Sequence, residues 1–322
     1  MYLCALLFAC APGVCLGQQQ AARDYPSKPI RLLVPYPAGG GVDIIAHTVG
    51  QKLARLIGQN LFVDNRGGAG GAIGTEIVAK SPPDGYTILI ASSAHASLPS
   101  IYKSLPYDAV RDFTPITLVA RSVGLVLVVH PSLPTRSIRD LVSLAKAHPG
   151  KLNYASGGTG SVTHFAAELL NQMAGIRITH VPYKGLGPGI IDCVAGRIEM
   201  CFVAATAGVP YIRSGKLRAL GITGTVRWSE LADVPTIDEA GVKGYAYMLW
   251  YGMWFPAGTP NEYVTRIRAE VARAFEDPEA KRKFGEEGLI SVASTPQEFG
   301  KAIHEQVEIH RKLAAWMGLA PQ

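Results

Sequence analysis

Two stretches place glycines between a run of β-formers and the start of a helix: VPYPAGGGVDIIA, from Val34 to Ala46, and YASGGTGSVTHFA, from Tyr154 to Ala166. The first turn of a helix carries backbone N–H groups without intrahelical partners, and the aligned peptide dipoles add partial positive charge there. Glycines ahead of such a turn let an anion reach the amides with no Cβ in the way. Both places are therefore candidate anion sites, and Asp43 and Ser161 or Thr163 are candidate caps of the same helices. One helix end contributes about 0.3–1 kcal/mol, about 2 when partly buried, whereas micromolar affinity requires about 8 kcal/mol. Charge-assisted hydrogen bonds to a carboxylate, about 1.5–3 kcal/mol each, have to supply most of the rest. Two loops facing each other across a closing cleft can do that. The same glycines also suit plain tight βα turns, and spacing alone does not separate the two readings.

Each loop needs a strand before it and a helix after it. KPIRLLVPY reads as a buried strand and VDIIAHTVGQKLARLIG as a helix, with Ile45, Val49, Leu53 and Leu56 at helical spacing and Gly58 as its C′ residue. NLFVDN is a second strand, GGAGGAIGTEIVAK a Gly-rich entry to a second helix, PPDG a turn and YTILIAS a third strand. From Leu125 the pattern restarts: LVLVVH as strand, SIRDLVSLAKAHPG as helix, KLNYAS as strand, then GGTG and a helix with Phe165, Leu169 and Met173 on one face. ITHVPY, GIIDCVAG, RIEMCFVA and KLRALGIT continue the alternation, which predicts parallel sheets. The chain closes with YMLWYGMWFPAG and two amphipathic helices, expected to pack back on the first half and make it discontinuous in sequence.

At 322 residues, 48% hydrophobic and 17% charged, the chain has material for real cores and does not read as disordered. MYLCALLFACAPGVCLGQQQ carries no charge, has an apolar stretch too short to span a bilayer and ends in small residues. Residues 1–20 thus read as an export signal cut near Gly17, lacking the usual positive start. Cys4, Cys10 and Cys15 would leave with it; Cys193 and Cys201 remain, either as two free buried thiols or as one bond. The formal charge of +6 mildly favours anionic partners, but Lys and Arg are scattered without polybasic runs, which argues against nucleic acid.

Enzyme motifs do not fit. GGAGGAIG puts Ile73 where a dinucleotide fingerprint places its third glycine, and neither a P-loop nor G-x-S-x-G is present. HEQVEIH, His304 to His310, has Glu308 at the fifth position, so it is not a zinc H-E-x-x-H and reads as a solvated helix face. His47, His95 and His164 lack ligand-like spacing; His95 and His164 follow strands near the expected cleft and are candidates to line it. No cofactor, metal or catalytic constellation is expected.

YPSKPIRLLVPYPAGGGVD, VDNRGGAGGAIGTEIVAKSPPDGYTIL, YDAVRDFTPIT, KLNYASGGTGSVTHFAAELL, ITHVPYKG, GKLRALGIT, DVPTIDEAG, WYGMWFPAGTP and STPQEF follow one another through nearly everything after residue 25. In this order they closely resemble the Bordetella uptake gene (Bug) family, the solute-binding proteins of tripartite tricarboxylate transporters. The resemblance implies an α/β, type II-like periplasmic binding protein of two lobes joined by crossing strands, each lobe a mostly parallel sheet flanked by helices. The expected boundaries are 25–124 plus 245–322 for the first lobe and 125–244 for the second. In the family a ligand carboxylate is held by backbone amides and waters at one loop from each lobe. Here the first loop corresponds to Tyr36, Pro37, Ala38, Gly39, Gly40 and Gly41 with Asp43. The second corresponds to Ser156, Gly157, Gly158, Thr159, Gly160 and Ser161, with Thr163 and His164 beside it. Pro182 and Tyr183 of the VPYKG element, Ser92 and His95 after the third strand, and Val203 and Ala204 after RIEMCF complete the implied lining.

The implied partners are a small carboxylate and one large and one small membrane transporter subunit, with a membrane sensor kinase as the alternative recipient. The protein is expected to be periplasmic, monomeric and without catalysis; an enzyme on the same fold, with His95 or His164 as base, is the competing reading. Three positions depart from the family: Leu98 where Asn is usual, Val203 and Ala204 where a polar pair such as Asp-Asn is usual, and His47 where Arg is usual. The first two predict a less polar distal pocket, hence a ligand with one carboxylate and an apolar or aromatic far end.

Overall fold

The computed structural model describes residues 25–319 apart from Gly40, Lys184 and Glu287, and apart from the side chains of Ala205 and Thr206. The expected export signal at residues 1–20, with Cys4, Cys10 and Cys15, lies outside the described residues. The chain begins β1 (Ile30–Val34), α1 (Gly41–Ile57), β2 (Leu61–Asn65), α2 (Ala72–Ala79), β3 (Thr87–Ser92), α3 (Ala94–Ile101) and β4 (Phe113–Ser122). It continues β5 (Leu125–Val129), α4 (Ile138–Ala147), β6 (Asn153–Ser156), α5 (Val162–Ala174), β7 (Thr179–Pro182), α6 (Leu186–Val194), β8 (Met200–Ala204), α7 (Ala205–Arg213) and β9 (Arg218–Ile222). It ends β10 (Trp250–Pro256), α8 (Asn261–Ala274), α9 (Pro278–Glu286), β11 (Leu289–Ser291) and α10 (Pro296–Trp316).

The strands form two sheets, ordered β11-β4-β10-β3-β1-β2 and β7-β6-β8-β5-β9. Both are mixed, where the alternation predicts mostly parallel pairing. β1 is parallel to β2 and β3, but β10 is antiparallel to β3 and β4, and β11 to β4. β6 is parallel to β7 and β8, while β5 is antiparallel to β8 and β9. The reversal follows from the path of the chain: β4 leaves the first lobe as β10 returns to it, so the neighbours must point in opposite senses. The strands parallel to β4 all end toward the second lobe, which is why the loops after β1 and β3 face it.

Helices cover both faces of each sheet. In the first lobe Leu32, Val34, Ile45, Val49, Leu53, Met253, Phe255 and Ile267 pack one face, and Leu33, Leu89, Leu118, Trp250, Trp254, Phe299 and Ile303 the other. In the second, Leu127, Tyr154, Phe165, Leu170 and Phe202 pack one face and Val126, Val128, Ile190, Cys193, Cys201 and Val203 the other. Cys193 and Cys201 are free and buried.

α10 departs from expectation. Its 21 residues span about 30 Å, so the helix starts on the first core at Phe299 and Ile303 and ends in the second at Leu313. His310 is 1% exposed, with its ring 4.6 Å from Phe165 and Nε2 3.2 Å from the Tyr247 hydroxyl. The HEQVEIH segment is therefore not a solvated face at its last residue, because that residue sits where the helix crosses between lobes. Among the described residues no helix is long and apolar enough to cross a membrane.

Candidate functional site

The first Gly-rich loop leaves β1 at Val34 and enters α1 at Gly41. Asp43, 7% exposed, shapes it: Oδ2 accepts the Gly39 amide at 2.8 Å and Oδ1 accepts Asn65 Nδ2 at 2.9 Å. Asn65 Nδ2 also donates to the Tyr36 carbonyl at 3.2 Å. The Gly39 amide above all, then Asn65 and the nearby His47, hold the carboxyl below its ordinary range against the opposing effect of burial. Asp43 thus spends both carboxylate oxygens on its own loop and on Asn65. The stretch GGAGGAIG, which fails as a nucleotide motif, presses on the same loop from outside. A Cβ on Gly74 would lie 2.5 Å from the Arg66 carbonyl oxygen and 2.7 Å from Pro35 Cα, so only glycine lets α2 close against it. Ser92 shares a hydrogen bond with the Tyr36 hydroxyl at 3.1 Å and thereby fixes that ring. Pro37 and Ala38 are exposed, and Gly40 lies outside the described residues.

The second loop is more heavily engaged than its sequence suggests. The Gly157 amide donates to Thr163 Oγ1 at 2.9 Å, that of Gly158 to Ser156 Oγ at 3.0 Å and that of Gly160 to His164 Nδ1 at 3.0 Å. Ser161 caps α5 by accepting the His164 amide. Three of the expected glycine donors are thus committed within the loop. Among the described residues the amides of Thr159, Val162 and Thr163 have no such partner, and they stand at or just before the N-terminus of α5. Beneath the loop Ser156, fully buried, lies 2.5 Å from His180 Nε2. His180 stacks on His164 with centroids 3.8 Å apart and planes at 12°. Burial pushes the His164 imidazole down to about 3, helped by His180, and the His180 imidazole to about 4. Both are therefore neutral near pH 7, as the Gly160–His164 bond requires.

Loop and lobe meet closely: a Cβ on Gly160 would lie 3.1 Å from Ile101 Cδ1 at the end of α3. Between the lobes is a cavity of about 300 Å³, with Gly41, Ile44, Tyr251 and Leu289 from the first lobe and Leu125 and Ala204 from the second. Ser122, Gly124 and Leu249, where the chain crosses, form its floor. Among the described residues no charged side chain lines it. The Tyr251 hydroxyl would be 3.7 Å from a Cβ on Gly41, and it has no hydrogen-bond partner among the described residues. Burial first, then Tyr36, pushes it up to about 12, so it is a neutral donor. Tyr251 was not a sequence candidate, since nothing in WYGMWFPAG shows that this strand passes the start of α1.

Other candidates lie elsewhere. His95 is 1% exposed, ringed by Tyr107, Phe113 and Trp254, with Nε2 donating to the Ala109 carbonyl at 2.7 Å. It belongs to the first core because α3 turns it inward, which corrects its expected place on the cleft. Leu98 and Val203 are likewise core residues, so only Ala204 of the three apolar departures touches the cavity. Tyr183 lies along α6 with its hydroxyl donating to Asp192 at 2.7 Å, and Pro182 is exposed. Among the described residues there is no group of three or more His, Cys, Asp or Glu placed to hold a metal.

Residues 45–319 match the model of the tripartite tricarboxylate transporter family receptor. A protein of Pseudomonas sp. (strain P51) encoded in the tcbD-tcbE intergenic region is 39% identical over 290 residues, 90% of this chain and 86% of that one. The structure of R. palustris Rpa4515 with adipate is 35% identical with a TM-score of 0.78, covering 93% of this chain and 100% of that one. The periplasmic binding protein BugD is 30% identical with a TM-score of 0.75, over 92% and 100% of the two chains. The chain therefore belongs to the receptor family of the tripartite tricarboxylate transporters, among the Bug-type periplasmic solute-binding proteins.

Proposed function

We propose that this protein captures a small carboxylate-containing metabolite in the periplasm and delivers it to a tripartite tricarboxylate-type membrane transporter, with no chemistry of its own. We read the lobes as residues 25–124 with 245–322, and 125–244, with Tyr245, Tyr247 and Leu313 of the first reaching into the core of the second. The observation that carries this reading is one set of uncommitted donors on each lobe. On the second they are the amides of Thr159, Val162 and Thr163, at the positive end of α5. On the first it is the Tyr251 hydroxyl beside Gly41, at the positive end of α1. Four charge-assisted hydrogen bonds at about 1.5–3 kcal/mol each reach the about 8 kcal/mol of micromolar affinity. The glycines serve this site mostly by shaping the loops; we read Tyr36–Gly41 and Ser156–Ser161 as the two loops that hold the carboxylate, and of these Gly41 lines the cavity. The adipate held by the R. palustris relative supports a carboxylate as the recognised group.

A thermal-shift screen of the chain after residue 20 against mono-, di- and tricarboxylates, aromatic acids and amino acids tests this. A ligand that binds only the folded state adds about 2.7 kcal/mol at a hundredfold excess over Kd. Stabilisation by at least one carboxylate class, weakened by about tenfold in affinity in Tyr251→Phe, is expected. No shift across the panel would overturn the carboxylate reading.

A further inference from the structure

We propose that the cavity selects a monocarboxylate whose other end is apolar, a short aliphatic or aromatic acid, and that Ala204 sets this selectivity. The proposal rests on the carboxylate reading above and concerns the end of the ligand that the loops do not hold. The cavity of about 300 Å³ is at the small end of ligand pockets. Beyond Gly41 and the Tyr251 hydroxyl its walls are Ile44, Leu125, Ala204, Leu249 and Leu289. The polar side chain of its floor, Ser122, accepts the amides of Gly124 at 3.2 Å and Leu249 at 3.1 Å, which leaves it a single neutral O–H and no charge to offer.

A second carboxylate placed there would lose its hydration without gaining a cation among the described residues, and the partial positive charge of the α7 N-terminus at Ala204 does not offset that loss. The adjoining recess, which shares Ile44, Ile45 and Leu289 with the cavity, contains Lys283. That ammonium is paired with Glu279 at 3.2 Å, and Glu286 lines the same recess. An acid chain or ring, by contrast, gains by burying apolar surface against these walls. Ala204 is the place where the second lobe could reach the far end of the ligand, and its methyl group offers no hydrogen bond.

The test uses two matched pairs that differ only in the distal carboxylate, hexanoate against adipate and benzoate against terephthalate, titrated calorimetrically into the mature chain at pH 7. In whichever pair binds, the monocarboxylate is expected to be tighter by about tenfold or more, the effect of one unpaired carboxylate against one favourable contact. Ala204→Arg, checked for a native melt, is expected to reverse the order. A dicarboxylate as tight as its partner or tighter on the unaltered chain would overturn the selectivity while leaving the carboxylate reading intact. Absence of binding by all four acids would overturn the selectivity alone if another carboxylate of the wider panel stabilises the chain, and both readings if none does.

Discussion

The carboxylate of Asp43 and the imidazole of His164 act alike on the two loops. Each accepts the amide of the glycine four residues before it, Gly39 at 2.8 Å and Gly160 at 3.0 Å. Asp43→Ala leaves the Gly39 amide and Asn65 without their acceptor and should cost about 1–3 kcal/mol, read by urea denaturation, along with weaker ligand binding. Acid acts on the other loop. His164 is pushed down to about 3, and His180, His95 and His310 to about 4, chiefly by burial. All four lie below the about 6.5 of a free imidazole, so between roughly pH 6.5 and 4, and for His164 down to about 3, the unfolded chain binds more protons. Stability is therefore full above that window and falls as pH falls through it, with the Gly160–His164 bond lost on protonation of Nδ1. Denaturation midpoints from pH 7 to pH 4.5 check this, and a flat profile would contradict it. The shared offset of glycine and acceptor stands in plain view in GGGVD and GSVTH. Which amides the loops leave free does not, because that depends on side chains folding back on the turn.

At the scale of elements, the crossing between lobes is tied by two hydroxyls. Ser122 Oγ accepts the Leu249 amide, while Thr223, fully buried, accepts the Leu125 amide at 2.7 Å and donates to the Tyr247 carbonyl at 2.5 Å. Gly124 sits between them at φ +114°, where a Cβ would meet the Gly224 amide nitrogen at 2.4 Å. Thr223→Val keeps the shape but strands a buried amide and a carbonyl, so a loss of about 1–3 kcal/mol is expected in chemical denaturation. A smaller effect is expected at the start of α10, where Thr295 and Glu298 form a capping box; Thr295→Ala should cost about 1 kcal/mol. Periodicity located these helices and strands because their buried faces are apolar. It could not show β10 reversing between β3 and β4, since antiparallel entry is dictated by the route of the chain and not by any residue in WYGMWFP. Nor could it place His310 between two cores, which needs the length and direction of α10.

For the whole molecule, two lobes meet at a crossing tied by Ser122 and Thr223 and share α10, while the positive ends of α1 and α5 belong to different lobes. A carboxylate that bridges those ends would favour closure, since each lobe supplies part of its hydrogen bonding. The sequence offers Ala204 but not Tyr251, and not their pairing, because the two come from opposite lobes and meet across the cavity. The most direct measurement is calorimetric titration of the mature chain with the acid that stabilises it most and with the neutral amide of that acid. The amide keeps the size and the apolar end but removes the charge that the backbone amides and Tyr251 would read. Binding of the acid with loss of about a hundredfold or more for its amide is the predicted result, the worth of one to two charge-assisted hydrogen bonds. Equal affinity for the two would contradict a carboxylate clamp.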